Sequence, residues 1–216
     1  MHNPWKTVRF GVVLAAVALS AMSVRAQEAH GNPNVRLGQQ ALLDGDFKAA
    51  AAHLQKALPE EAGNLEVHYL LGYSQFQNGE FAQSIETFRK MLDLDPKYAP
   101  AWYYKGKACN NLAVTGDAGL ESSAKEDLLR EAIEDYGKAI AIDGYDIKLY
   151  QNRAIAYRDL GILTGTAGTD NYDRQKATEA YSKAITDYEK VLTYDASRKD
   201  IQTEVKKAKV YRELLR

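Results

Sequence analysis

Hydrophobic and polar positions along this chain recur as paired amphipathic stretches joined by short polar turns. Leu37-Gly38, Gly45-Asp46-Phe47, Ala50, Leu54 and Ala57-Leu58 are answered 34 residues later by Leu71-Gly72, Gly79-Glu80-Phe81, Ser84, Phe88 and Met91-Leu92. A third copy runs from Trp102, Lys105-Gly106 and Cys109 to Ala132, Tyr136 and Ala139-Ile140, its two halves 14 residues further apart. The fourth runs from Tyr150, Arg153-Ala154 and Tyr157 to Ala184, Tyr188 and Val191-Leu192, with 18 extra residues in the same place. The spacing predicts helices near 33–43, 47–58, 65–77, 81–93, 99–113, 123–142, 147–160 and 171–194. A ninth, from Arg198 to Leu214, puts Ile201, Val205, Ala208 and Leu215 on one stripe and charge on the rest, as a terminal helix requires. No strand pattern interrupts them.

Small residues mark where paired helices must approach: Gly38, Gly72, Gly106 and Ala154 on the first helices, Ala50, Ser84, Ala132 and Ala184 on the second. Leu54, Phe88, Tyr136 and Tyr188 are the large residues expected to fill the space between hairpins. A 34-residue unit with this layout, closing on Leu94-Asp95-Pro96 in the second copy, resembles the tetratricopeptide repeat. The resemblance implies an all-α solenoid of the right-handed tetratricopeptide type. Its four helix-turn-helix repeats would span about 31–64, 65–98, 99–146 and 147–198, two of them with long insertions inside the hairpin. A capping helix would close it at 198–216.

Ahead of the repeats, Lys6 and Arg9 precede an apolar run from Phe10 to Met22 and the tract Ser23-Val24-Arg25-Ala26. This reads as a signal peptide over 1–26 with cleavage after Ala26, residues 27–30 forming a short linker. The run is too short for a membrane span, and no cysteine follows to accept a lipid. The whole chain balances 28 basic against 29 acidic residues, which argues against nucleic acid as a partner. Losing Lys6, Arg9 and Arg25 leaves 25 basic residues against 29 acidic ones and a net charge of −4. A periplasmic or secreted protein with no membrane span after leader removal is expected.

Chemistry is sparse. One cysteine excludes an intrachain disulfide, and isolated His30, His53 and His68 give no metal-ligand spacing, so neither a metal nor a cofactor is expected. Ser122-Ser123-Ala124-Lys125 matches S-x-x-K without its partner motifs. Ser123 and Glu126 have capping-box spacing, which favours a helix start over a nucleophile. Gly116-Asp117-Ala118-Gly119 and Gly165-Thr166-Ala167-Gly168 lack the Lys-Ser/Thr of a phosphate loop, and Cys109 reads as a buried, inert thiol. No catalytic residue is expected.

The resemblance implies that the first helices line a concave face where extended peptides lie. That face takes Val35, Gln39 and Leu42 from the first copy, and Tyr69, Tyr73 and Phe76 from the second. It takes Tyr103, Lys107, Asn110 and Asn111 from the third, and Gln151, Ile155, Arg158 and Asp159 from the fourth. Aromatic area, amides able to pair with backbone, and two cations suit a protein segment as ligand. The family's carboxylate clamp is missing, its places being held by Val35, Gln39, Leu70, Pro100 and Tyr104. The resulting expectation is a peptide-binding adaptor in the cell envelope. The alternative is a structural self-assembly module, which leaves a homo-oligomer open.

Overall fold

The computed structural model describes residues 31–116 and 119–215; the leader and linker assigned to 1–30 lie outside them. Nine helices fill the described residues, with no strand among them: α1 (Pro33–Leu43), α2 (Phe47–Ala57), α3 (Leu65–Gln77), α4 (Phe81–Leu94), α5 (Ala99–Thr115), α6 (Ser122–Ile142), α7 (Ile147–Gly165), α8 (Arg174–Tyr194) and α9 (Lys199–Leu214).

Local chemistry sets most of the boundaries. Asn32, Asp46, Asn64, Asp146 and Asp173 each turn a side-chain oxygen onto a free amide of the first turn that follows. The turns of the first two hairpins are the same motif. Gly45 and Gly79 adopt φ of 75° and 81°. Asp46 N–H donates to the Ala41 carbonyl at 2.9 Å, and Glu80 N–H to that of Gln75 at 2.8 Å. These are Schellman stops, and they need a residue that tolerates the left-handed region.

The third hairpin has Ala113 at that point, and Gly161 of the fourth stays helical against the Tyr181 ring, so both first helices run on. α5 reaches Thr115 and α7 reaches Gly165, beyond the ends at 113 and 160 that the sequence pattern sets. The insertions thus lengthen the hairpins, to helices of 17 and 21 residues in the third and 19 and 21 in the fourth. One expectation fails here. Glu121, not Ser123, stands at the N-cap of α6, and no side chain caps that helix.

Close approach occurs where the small residues predict it. A Cβ on Gly38 would lie 2.6 Å from Leu54 Cγ, and one on Gly72 would lie 2.9 Å from the Phe88 ring. At the second crossing Ser84 Oγ donates to the Gly72 carbonyl at 2.9 Å. Leu54, Phe88, Tyr136 and Tyr188 are buried almost completely. Each therefore seals its own hairpin as well as the stack, Phe88 for instance joining Met91 and Leu92 against Ala101 of the next unit.

Second helices reach the following hairpin through its first helix (α2 on α3, α4 on α5, α6 on α7, α8 on α9). First helices also touch one another directly, α1 with α3, α3 with α5 and α5 with α7. The first helices are therefore the inner, more tightly spaced layer of the solenoid.

Candidate peptide-binding groove

Along this inner layer, residues four apart share a face, so Tyr69 and Tyr73 on α3 stand beside Tyr103 and Lys107 on α5. Here the aromatic rings are largely engaged with one another. Tyr104 is their hub, 5.3 Å from Tyr73, 5.7 Å from Phe76, 6.0 Å from both Tyr69 and Phe88, and 5.1 Å from Tyr103. Tyr73 is only 8% exposed, while Tyr69, Phe76 and Tyr103 keep part of their surface open. Burial raises the Tyr69 and Tyr104 phenols far above their usual range and pushes Tyr103 up to about 12, so all three stay neutral donors. These pairings, mostly edge to face, fasten the second hairpin to the third. Tyr104 is the repeat equivalent of buried Leu70, and that register could have marked it as core.

Toward the C-terminal end the face becomes polar. Asn110, buried, donates from Nδ2 to Asp159 Oδ2 at 3.0 Å. Arg158 grips Asp159 Oδ1 through Nε and Nη2, at 3.0 and 2.8 Å, and reaches Glu204 Oε2 on α9 at 3.1 Å. Burial works against the Arg158 charge, but the two carboxylates outweigh it and its pKa rises. Asn110 and Arg158 therefore act first as a brace joining third hairpin, fourth hairpin and terminal helix. Asn111 carries no side-chain hydrogen bond among the described residues.

Beside this brace opens a cleft of about 510 Å³. Gln151, Ile155 and Arg158 form its α7 wall, Tyr188 lies at its base, and Lys199, Thr203 and Glu204 of α9 face them. Arg198 Nη2 holds Gln151 Oε1 at 3.2 Å at the rim. The contribution of α9 was not visible from the sequence, where this helix reads only as a cap. Its polar face does double service as a groove wall.

Two buried ion pairs stand behind the groove at equivalent places. Lys105 Nζ lies 2.7 Å from Asp135 Oδ2 and 2.7 Å from Glu131 Oε1. Arg153 makes a two-bond contact with Asp187 at 2.7 and 2.8 Å. Burial alone would lower Lys105, but Asp135 and Glu131 more than offset it and its pKa rises. The cost falls on the partner: burial pushes the Asp135 carboxyl up to about 6 despite Lys105.

Cys109 Sγ, Glu131 and Asp135 bring their ligand-type atoms within 4.8 Å of one another, and the cation among them is the Lys105 ammonium. Burial and the Glu131 charge drive the Cys109 thiol well above its usual pKa, which leaves it a poor nucleophile. Ser122 opens α6, and its carbonyl accepts from Asn171 Nδ2 at 2.9 Å. The same amide reaches Glu126 Oε2, which together with Arg130 and Lys176 knits the two insertions to each other. No described helix is long and apolar enough to cross a membrane.

The tetratricopeptide-repeat family matches residues 41–108, from the end of α1 into α5. A DnaJ homolog subfamily C member 7 homolog of Dictyostelium discoideum is 26% identical over 191 residues, covering 76% of this chain. The chain spans only 34% of that relative's length. Among solved structures, the MamA protein superposes with a TM-score of 0.52 at 24% identity, covering 83% of this chain and 90% of that one. MamA from Desulfovibrio magneticus RS-1 gives 0.52 at 18% identity, covering 83% and 93%. These likenesses speak to the fold. With the family model matched from the first hairpin into the third and the repeat geometry carried through all four, the described residues have the tetratricopeptide-repeat fold.

Proposed function

We propose that this chain is an adaptor that binds an extended segment of a partner protein along its inner face, and that it works in the cell envelope after export. The cleft between α7 and α9 carries the reading. It continues the face lined by the first helices, and its lining combines apolar Ile155 with the polar side chains of Gln151 and Thr203. An extended backbone needs both, polar side chains to meet its N–H and C=O groups and an apolar seat for a side chain. The leader read from the sequence supports the location.

The test is an affinity capture from envelope extract with the full chain and a Gln151→Ala/Lys199→Ala/Thr203→Ala variant. These side chains line the cleft without filling the core. A partner held by the wild type and lost from an equally helical variant supports the groove. Equal retention would move binding elsewhere.

A second reading has its own observation. The solenoid leaves apolar surface open at both ends, with Leu37 and Leu43 50% and 55% exposed on α1 and Val210 and Leu214 56% and 77% exposed on α9. Ends of this kind suit self-assembly. Light scattering showing a concentration-independent monomer would remove it.

A further inference from the structure

Lys107, beside the aromatic rings of the inner face, differs from the paired cations around it. Lys105, Arg153 and Arg158 are each paired with carboxylates of the chain itself. Lys107 is not; among the described residues it makes no ion pair or hydrogen bond. Its ammonium lies 5.1 Å from the centroid of the Phe76 ring and 5.5 Å from that of Tyr103. Half buried there, it is lowered in pKa by loss of water alone. Ring faces attract a cation but return only part of the hydration that burial removes, so the site favours an anion from outside.

We propose that the groove takes an acidic stretch of a partner polypeptide, one side-chain carboxylate resting on Lys107 between Phe76 and Tyr103. This rests on the peptide-groove reading above and names the chemistry of its ligand. The open parts of the two rings flank the seat as apolar walls, and Asn111, one turn further along the same face of α5, has its amide free for the peptide backbone. The chain's own first 30 residues are a poor occupant by charge. They hold Lys6, Arg9 and Arg25 against the single acid Glu28.

Two capped dodecapeptides, four repeats of Tyr-Ala-Glu and four of Tyr-Ala-Gln, titrated against the full chain by fluorescence anisotropy, test this directly. The glutamate peptide is expected to bind about 10-fold more tightly, an advantage that shrinks as salt rises. Lys107→Met keeps the apolar stem on the rings and should abolish the preference, whereas Lys107→Arg should keep most of it. Matched thermal melts confirm that these variants fold.

Equal binding of the two peptides, or a preference that survives Lys107→Met, overturns the acidic-ligand proposal while leaving the groove reading standing. Binding of neither peptide overturns both. If Lys107→Met instead dissolves an oligomer of the wild type without altering peptide binding, a second copy occupies the seat and the proposal falls.

Discussion

Replacing Asp135 by Ala is expected to be among the most damaging single changes in the chain, and replacing the whole pair should be nearly harmless. Asp135 is 1% exposed and takes both oxygens to Lys105, at 2.9 and 2.7 Å. Removing one partner of a buried pair costs about 3–5 kcal/mol, because the other is left charged and dry. Glu131 still reaches Lys105 at 2.7 Å, which places the loss near the lower figure, about 3 kcal/mol. For a chain of this size that is a fall of roughly 6–12 °C in melting temperature.

The chain itself supplies the compensating pair. The second hairpin holds Leu71 and Thr87 where the third holds Lys105 and Asp135. Lys105→Leu/Asp135→Thr should therefore restore most of the loss, since exchanging a buried pair for packed neutral residues is commonly neutral or favourable by about 1–4 kcal/mol. Circular-dichroism melts of wild type, both single variants and the double variant read the coupling. Losses that simply add would refute the reasoning.

The pH dependence has a definite sign. Asp135 titrates near 6 in the folded chain against about 4 unfolded, so the folded state holds the extra proton between those values. Its contribution is full below about pH 4 and is lost as pH rises through 6. The melting temperature of the wild type should accordingly fall, relative to Asp135→Asn, across that window. A wild-type melting temperature that rises relative to Asp135→Asn across that window would contradict the burial argument.

Other consequences are more local. Gly72→Ala should cost about 1–3 kcal/mol despite alanine's better helix propensity, since its Cβ would sit 2.9 Å from a Phe88 ring already held by Tyr69 and Tyr104; chemical denaturation would show it. Cys109 should resist a thiol reagent in the native chain at mildly alkaline pH and react at once in denaturant; labelling of the folded protein would mean the helices around it open readily. If the proposed export holds, mass spectrometry of the chain recovered from cells should find Gln27 at its start. A chain retaining Met1 would overturn the leader assignment.

How much of this was legible in the sequence depends on which physics decided each feature. Where the 34-residue register persisted, element ends followed from glycine and acid-amide signals, as at Gly45, Gly79, Asn64 and Asp146. In the inserted hairpins α5 and α7 ran on, past Ala113 in the one and past Gly161, which packs on Tyr181 within the helix, in the other, and Ser123 lost its capping role. Register puts the proposed groove residues on one face and says nothing of what else engages them. Sequence spacing places Asn110 and Arg158 on the inner face; only the fold reveals that Asp159 and Glu204 hold them. The α9 wall of the cleft was hidden for the same reason, since it depends on contact between segments about 50 residues apart.

The most direct test of the central claim is site-specific photocrosslinking in cells, with a photoreactive residue at Gln151 in the cleft, at Tyr103 on the inner face, or at Asp93 on the outward layer of α4. The account predicts that Gln151 and Tyr103 capture a common partner and that Asp93 does not. Capture from Asp93 alone, or only of further copies of this chain, would contradict it.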